Sequence, residues 1–362
     1  MTATVEIAKV AHPSPTAPEA RATLMENPGF GKVFSDHMVT ITWTPDKGWH
    51  DAKVRAREPF QIDPASAVLH YAQEIFEGMK AYRTADGGLA LFRPEENARR
   101  LNQSAERMAM PTIPEDLFID AVETLVRTDA DWVPKGEGSF YLRPFMFASE
   151  SFLGVRPAHE YTFCVIGCPV GAYFKGGYKA VTVWVSDDYT RAAPGGTGAA
   201  KCGGNYAGSL VAQAEAIKHG CDQVVFLDAA ERKWIEELGG MNIFFVMDDK
   251  TIITPPLGTI LPGITRASIL KLAGEAGFTV REQLYSFDQW QADAQSGKLR
   301  EAFACGTAAV IAGIGTVKFS GGSFAIGNSG DGETTSQLRA KLVGIQKGKE
   351  ADAHGWMHEI AA

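Results

Sequence analysis

Between Met38 and about Val170, apolar and polar positions alternate in four runs, HMVTITW, LALF, SFYLRPFMF and YTFCVIG. A period of two marks strands with one buried face. Two stretches between these runs keep a helical period instead. The first helix is expected over Ala67 to Phe76. The second opens at Pro94, a residue suited to the first helical position, and places Ala98, Leu101, Ala105 and Met108 on one face. That stripe predicts core packing rather than chemistry, and the mixture as a whole predicts an α+β unit.

The glycine-rich run GAYFKGGYK, Gly171 to Lys179, interrupts the periodicity and predicts a connection between domains. Beyond it, AVTVWVS, DQVVFLD, MNIFFVM and TIIT read as strands interleaved with helices in YAGSLVAQAEAIKHG and TRASILKLAGEAG, an α/β texture. The expected organisation is an N-terminal arm over 1–30, a first domain over 31–170, a connecting loop over 171–180 and a second domain over 181–362. The arm begins MTATVEIAKVAHPSPTAPEA, lacks the apolar core of a signal peptide, and is expected to be loose. No run reaches the roughly 18 apolar residues of a membrane span. The nearest, FACGTAAVIAGIG, is broken by Gly and Thr.

With 362 residues, 45% hydrophobic and 22% charged, the chain can build two ordinary cores. Its 35 basic and 43 acidic residues leave a net charge of −8 with no dense basic stripe, which argues against nucleic acid as a partner. Five cysteines without secreted-framework spacing suggest reduced thiols in the cytoplasm. No metal site is expected. Cys164 and Cys168 have no histidine nearby, while His354 and His358 lack the glutamate of a zinc-protease motif and read as one face of a C-terminal helix.

Candidate chemistry centres on Lys201, in GGTGAAKCGGNY (Gly195 to Tyr206). Surrounded by Gly and Ala, its ammonium is expected to be desolvated and its pKa lowered, the state in which a lysine forms Schiff bases. A P-loop would need Gly before the lysine and Ser or Thr after it, where Ala200 and Cys202 stand. A dinucleotide fingerprint begun at Gly196 would place Lys201 where the third glycine belongs. A flexible glycine loop carrying a solvated lysine stays open on this segment alone.

A Schiff-base lysine becomes catalytic when a group accepts the electrons released at the substrate carbon, and pyridoxal phosphate is the usual sink. Its ring nitrogen calls for a buried carboxylate, its phosphate for an arginine and backbone amides, and its phenolic oxygen for a hydroxyl. In WIEELGGMN either Glu236 or Glu237 could supply the carboxylate from a loop. Gly263, Ile264 and Thr265 open a helix whose free amides suit an anion. A second small-residue turn, Gly306, Thr307 and Ala308 in ACGTAAV, exposes amides and a hydroxyl. Arg100 would supply the positive charge, with Arg99 and Arg107 as rivals.

The runs FGKVFSDHM, LHYAQEIFEGMKAYR, LFRPEENARRLNQSAERM, FYLRPF, KCGGNY, EELGGMN, LPGITR and CGTAAV occur in the order found in branched-chain amino acid aminotransferases. From Phe30 to the C-terminus the chain resembles that family, pyridoxal-phosphate enzymes of fold type IV. The resemblance implies a smaller N-terminal α/β domain, a larger C-terminal β-barrel-like α/β domain with the site between them, and a homodimer. It implies transfer of the amino group of leucine, isoleucine or valine to 2-oxoglutarate through a Lys201 Schiff base with pyridoxal 5'-phosphate.

By position, the resemblance makes Tyr206 the donor to the phenolic oxygen and Glu237 the partner of the ring nitrogen. Arg100, Gly263, Ile264, Thr265, Gly306 and Thr307 would hold the phosphate. Tyr141 and Arg143 look like carboxylate readers, assisted by the amides of Thr307 and Ala308. Phe30, Tyr71, Phe76, Tyr141 and Tyr173 map to an aromatic pocket, with the hydroxyls of Tyr71 and Tyr173 beside Arg143 for the second carboxylate of glutamate. The related D-amino-acid aminotransferases and aminodeoxychorismate lyase fit less well, because YLRP and FEGMKAYR argue against both. The redox cysteine pair of some animal members is replaced by Ala309 and Ala312, so no thiol switch is expected there. Cys202 reads as a small packed thiol.

Overall fold

The computed structural model describes residues 5–171 and 179–361. The chain forms two compact units. One comprises residues up to Lys175 together with Ala200–Gly203 and Ile345–Ala362, and the other comprises Gly176–Ala199 and Gly204–Gly344.

In chain order the first unit contains β1 (Ala8–Lys9), α1 (Pro18–Glu26), β2 (His37–Thr44), β3 (Gly48–Ala56), α2 (Ala67–Tyr71), β4 (Glu74–Phe76), β5 (Met79–Arg83) and β6 (Leu89–Phe92). There follow α3 (Pro94–Arg107), α4 (Glu115–Thr128), β7 (Ser139–Ala148) and β8 (Tyr161–Val170). The strands form one sheet in the order β1-β3-β2-β8-β7-β5-β6, and β4 also pairs with β7. Pro94 opens α3 as expected, and its Ala98, Leu101 and Ala105 are fully buried in a core shared with Phe118, Val122 and Leu125 of α4.

The second unit contains β9 (Val181–Ser186), α5 (Gly203–Lys218), β10 (Gln223–Leu227), β11 (Ile235–Leu238), β12 (Asn242–Met247) and β13 (Thr251–Thr254). It continues with α6 (Ile264–Glu275), β14 (Thr279–Glu282), α7 (Phe287–Ser296), β15 (Leu299–Gly306), β16 (Val310–Phe319), β17 (Gly322–Ala325) and α8 (Glu333–Gln346). Its sheet runs β11-β10-β9-β16-β15-β12-β13-β14, with β17 on β16. One face is closed by Trp290 of α7 with Phe245 and Tyr285, and α5 lays Ala212 and Ala216 against Trp184, Val224 and Phe226. Parallel pairing of β9 with β10 and with β16 confirms the α/β texture of this half.

Three expectations are corrected by pairing between residues far apart in sequence. The first helix stops at Tyr71, because Ala72 turns left-handed (φ 48°) and residues 74–76 pair with Phe145–Phe147 of β7 instead. The N-terminal arm is docked rather than loose: β1 joins β3, and the Asp36 carboxylate accepts the Thr16 N–H and hydroxyl and the Trp132 indole N–H. The C-terminus ends in a strand, β18 (Met357–Ile360), which completes the first sheet against β6. His358 there bridges Glu95 and Glu123 at 3.0 and 2.6 Å, so it does not share a helix face with His354.

No helix among the described residues is long and apolar enough to cross a membrane, and no group of His, Cys, Asp and Glu among them is arranged to hold a metal ion. All five cysteines are free and buried. Close approach of strands makes Gly167 the most demanding position of β8, because a Cβ there would run into the fully buried ring of Phe140. Gly167→Ala should lower stability by about 1–3 kcal/mol through overpacking, read as an earlier urea midpoint at unchanged slope.

Candidate active site

Lys201 lies in the short segment, Ala200–Gly203, that belongs to the first unit. Its backbone is fixed on both sides. The Phe76 N–H donates to the Lys201 carbonyl at 3.0 Å, and Cys202 forms an antiparallel bridge with Ile75. The Lys201 N–H donates to the Ser104 hydroxyl of α3 at 2.9 Å. Ala200 and Cys202 are buried on either side, so the small neighbours serve close packing rather than a flexible loop.

The Lys201 ammonium lies 4.8 Å from the Phe76 ring centroid. Burial, and then the Arg100 cation, push its pKa down to about 8; Glu77 and Tyr141 pull upward and Arg143 adds to the fall. About a tenth of such an amine is unprotonated at pH 7, against far less for a solvated lysine. The lowered pKa expected from its small neighbours is present, with burial as the first cause.

The three candidate arginines separate by burial. Arg99 is exposed and pairs with Glu96 at 3.1 Å, and Arg107 is exposed, whereas Arg100 is buried. Its Nε and terminal nitrogen grip the two oxygens of Glu77 at 2.8 and 2.7 Å, and Asn97 and the Gly78 N–H also donate to that carboxylate. A fork bound at two points has a fixed plane.

Arg143 and Tyr141 sit two residues apart on β7 and so share a face. The Arg143 guanidinium donates to the Tyr141 hydroxyl at 3.1 Å and lies over the rings of Phe76 and Tyr141, 4.7 and 5.6 Å from their centroids. Its Nε is buried without a hydrogen-bond partner among the described residues. Phe30 meets Tyr141 edge-on at 4.9 Å. The first unit therefore brings together Lys201, Arg100, Phe30, Phe76, Tyr141 and Arg143. Tyr71 commits its hydroxyl proton to the Leu153 carbonyl at 2.9 Å, and Tyr173 lies outside the described residues.

In the second unit Glu236 and Glu237 are on a strand, β11, rather than in a loop, and both are buried. Their partners distinguish them. Glu237 faces the Arg191 guanidinium at 2.8 Å and accepts the Leu261 N–H and the Asn242 amide, each at 3.0 Å. Glu236 accepts only the Thr259 hydroxyl, its second oxygen has no partner among the described residues, and burial raises its pKa. Glu237 is the carboxylate on which donors converge.

Asn242 links this carboxylate to the turn that opens α6. Its amide also donates to the Leu261 carbonyl at 3.0 Å, and its oxygen occupies the space that a Cβ on Gly263 would fill. Gly263 caps α6 with no side-chain acceptor, so the first-turn amides, those of Ile264 and Thr265 among them, keep the free-end character of a helix N-terminus. Thr265 is buried. Pairing of Asn242 with Cys305 brings Gly306 beside Met241, and Gly306 pairs with Val310 across a loop that holds Thr307 and Ala308. Glu237 and both turns thus gather at one end of the second sheet. Tyr206 lies in the first turn of α5, part-buried.

Sequence reasoning did not single out Arg191, Asn242, Ser104 or Glu77. Asn242 stood in EELGGMN, Ser104 in LFRPEENARRLNQSAERM and Glu77 in FEGMKAYR, but each acts through a contact that only folding creates. The environment of Lys201 gives a direct prediction. In competitive acetylation of the cofactor-free protein, followed by peptide mass analysis, labelling of Lys201 should rise with a midpoint near pH 8. Exposed lysines should titrate about two units higher. A Lys201 midpoint among theirs would contradict the environment described.

Residues 74–317 match the amino-transferase class IV family. A probable branched-chain-amino-acid aminotransferase of Streptomyces coelicolor is 55% identical, covering 99% of this chain and 99% of its own. The branched-chain-amino-acid aminotransferase of Mycolicibacterium smegmatis is 54% identical over 98% of each chain. Among solved structures, the Escherichia coli branched-chain amino acid aminotransferase superposes with a TM-score of 0.74 at 30% identity, covering 90% of this chain and 99% of its own. A branched-chain aminotransferase from the thermophilic archaeon Thermoproteus uzoniensis, solved with norvaline, gives a TM-score of 0.71 at 25% identity, covering 89% of this chain and 100% of that one. With the packed lysine, the two small-residue turns and the donor-ringed glutamate in one chain that matches the family model over residues 74–317, this chain belongs to the class IV aminotransferases.

Proposed function

We propose that this protein is a branched-chain-amino-acid transaminase that uses pyridoxal 5'-phosphate and moves the amino group of leucine, isoleucine or valine reversibly to 2-oxoglutarate. The observation that carries the proposal is Lys201, a backbone-clamped amine with a pKa near 8, in a chain 55% identical to its relative over 99% of its length. The donor set suits the cofactor. Glu237 offers a carboxylate ringed by three donors, α6 and the Gly306–Ala308 turn offer amides, and Arg100 offers a fixed guanidinium. In this reading Arg100 and the amides of Gly263, Ile264, Thr265, Gly306 and Thr307 hold the phosphate. Glu237 takes the ring nitrogen and Tyr206 the phenolic oxygen.

Bound pyridoxal phosphate supplies the electron sink for the pair left when the substrate Cα–H bond breaks. Lys201 carries the proton. Its Nζ takes it from the substrate α-carbon and can return it, because its pKa near 8 leaves both protonation states accessible at neutral pH. Glu237, held by Arg191 and Asn242, presents a fixed acceptor. The aromatic rings of Phe30, Phe76 and Tyr141 offer an apolar wall to a branched aliphatic side chain.

Arg143 explains how the same wall could receive glutamate. Its Nε is a buried donor in want of an acceptor, and a second carboxylate would supply one. The hydroxyl of Tyr141 and the amides of Thr307 and Ala308 are assigned to the carboxylate common to all substrates. Tyr71 and Tyr173 are assigned to the aromatic pocket by the family pattern alone. A cytoplasmic homodimer is proposed along with this activity.

Lys201→Ala should abolish the visible absorption band of the cofactor-loaded protein and lower turnover by about 10⁴-fold. An unchanged band would contradict the role of this lysine. Arg143→Ala should raise KM for 2-oxoglutarate at least about tenfold while leaving KM for leucine within about threefold. Equal losses for the two substrates in steady-state assays would contradict the division of labour.

A further inference from the structure

We propose that Ser104 is a positioning residue for Lys201, tying the backbone of the reactive lysine to the helix that carries Arg100. The inference deepens the transaminase reading and rests on it. Ser104 has no exposed surface, and its hydroxyl both donates and accepts a hydrogen bond. It donates its single hydrogen to the Arg100 carbonyl at 3.0 Å and accepts the Lys201 N–H at 2.9 Å. Arg100 and Ser104 are four residues apart on α3 and so share a face.

These bonds close a circuit. From Lys201 its carbonyl reaches the Phe76 N–H at 3.0 Å. The next residue, Glu77, holds the Arg100 guanidinium at two points, and Arg100 leads back through Ser104 to the Lys201 N–H. Every link is buried or part of the backbone. The circuit fixes the base of the lysine side chain relative to a cation assigned to the phosphate. Its use would lie in proton transfer, when the lysine side chain is not bonded to the cofactor. Lys201 would then have to present Nζ to the substrate α-carbon with only its own backbone to hold it in place.

Three single variants test this: Ser104→Ala, Ser104→Thr and Ser104→Cys. Threonine keeps a hydroxyl able to bond the carbonyl four residues back, whereas a thiol is a poor acceptor of similar size. With α-deuterated leucine and the loaded enzyme, Ser104→Ala should lower kcat about tenfold. KM for leucine should move less than twofold, and the primary isotope effect should grow as proton transfer limits turnover. Ser104→Thr should restore kcat to within about threefold, and Ser104→Cys should fall between.

In the cofactor-free protein, the acetylation midpoint of Lys201 should rise by about one unit in Ser104→Ala and stay near 8 in Ser104→Thr, since a loosened lysine reaches water. This second measurement needs no turnover, so it separates failure of the anchor from failure of the transaminase reading. Wild-type protein without leucine-dependent activity would sink the latter alone. If Ser104→Ala does not fold, Ser104→Cys carries the test. A folded Ala or Cys variant with wild-type isotope effect and labelling midpoint overturns the proposal. So does an equal loss in Ala and Thr accompanied by a lower thermal midpoint, which would mark Ser104 as structural only.

Discussion

One amine and two guanidinium groups lie close together, with Arg100 buried and Lys201 and Arg143 part-buried, and the carboxylate of Glu77 neutralises the buried one. Taking three cations out of water together would be costly. The structure meets the difficulty in two ways. Arg100 is neutralised through a two-point bond to Glu77, and Lys201 gives up part of its protonation instead. The second response is the one the proposed reaction would use, because an amine that sheds its proton near pH 8 can serve as nucleophile and proton carrier. Ala200 and Cys202, buried on either side of the lysine, belong to the packing that desolvates it.

The second unit solves the complementary problem with an anion. Glu237 is buried, yet Arg191, Asn242 and the Leu261 N–H surround it with donors. Asn242 has a second use, pressed against the bare Cα of Gly263, so the glutamate and the open N-terminus of α6 are set by one side chain. Any side chain at Gly263 would break that arrangement. Glu236, one residue away, has the opposite character, with an oxygen left over and a raised pKa. Adjacent positions of a strand can differ this much because they face different neighbours.

Much of the site was legible because its parts are short and local. Lys201 among small residues, Gly263–Thr265 at a helix start and Gly306–Ala308 in a tight turn each follow from a few consecutive residues, and the fold-type resemblance ordered them. What period alone could not supply was long-range. The helix expected to reach Phe76 yields to β4 because β7 offers hydrogen bonds from more than 60 residues away. The C-terminal strand finds its edge on β6, and the arm finds Asp36, for the same reason. Ser104 and Lys201 lie 97 residues apart, and Arg191 has no local feature that marks it as a partner of Glu237. Preferring Glu237 to Glu236 rested on the family pattern, because the donors around Glu237 come from Arg191, Asn242 and Leu261, residues that only folding brings to it.

The account depends on Lys201 being the residue that joins the cofactor covalently. Reduction of the loaded enzyme with borohydride, followed by proteolysis and mass mapping, tests this most directly. The account predicts a single pyridoxyl label on the peptide that contains Lys201. A label on any other lysine, or none, would contradict it.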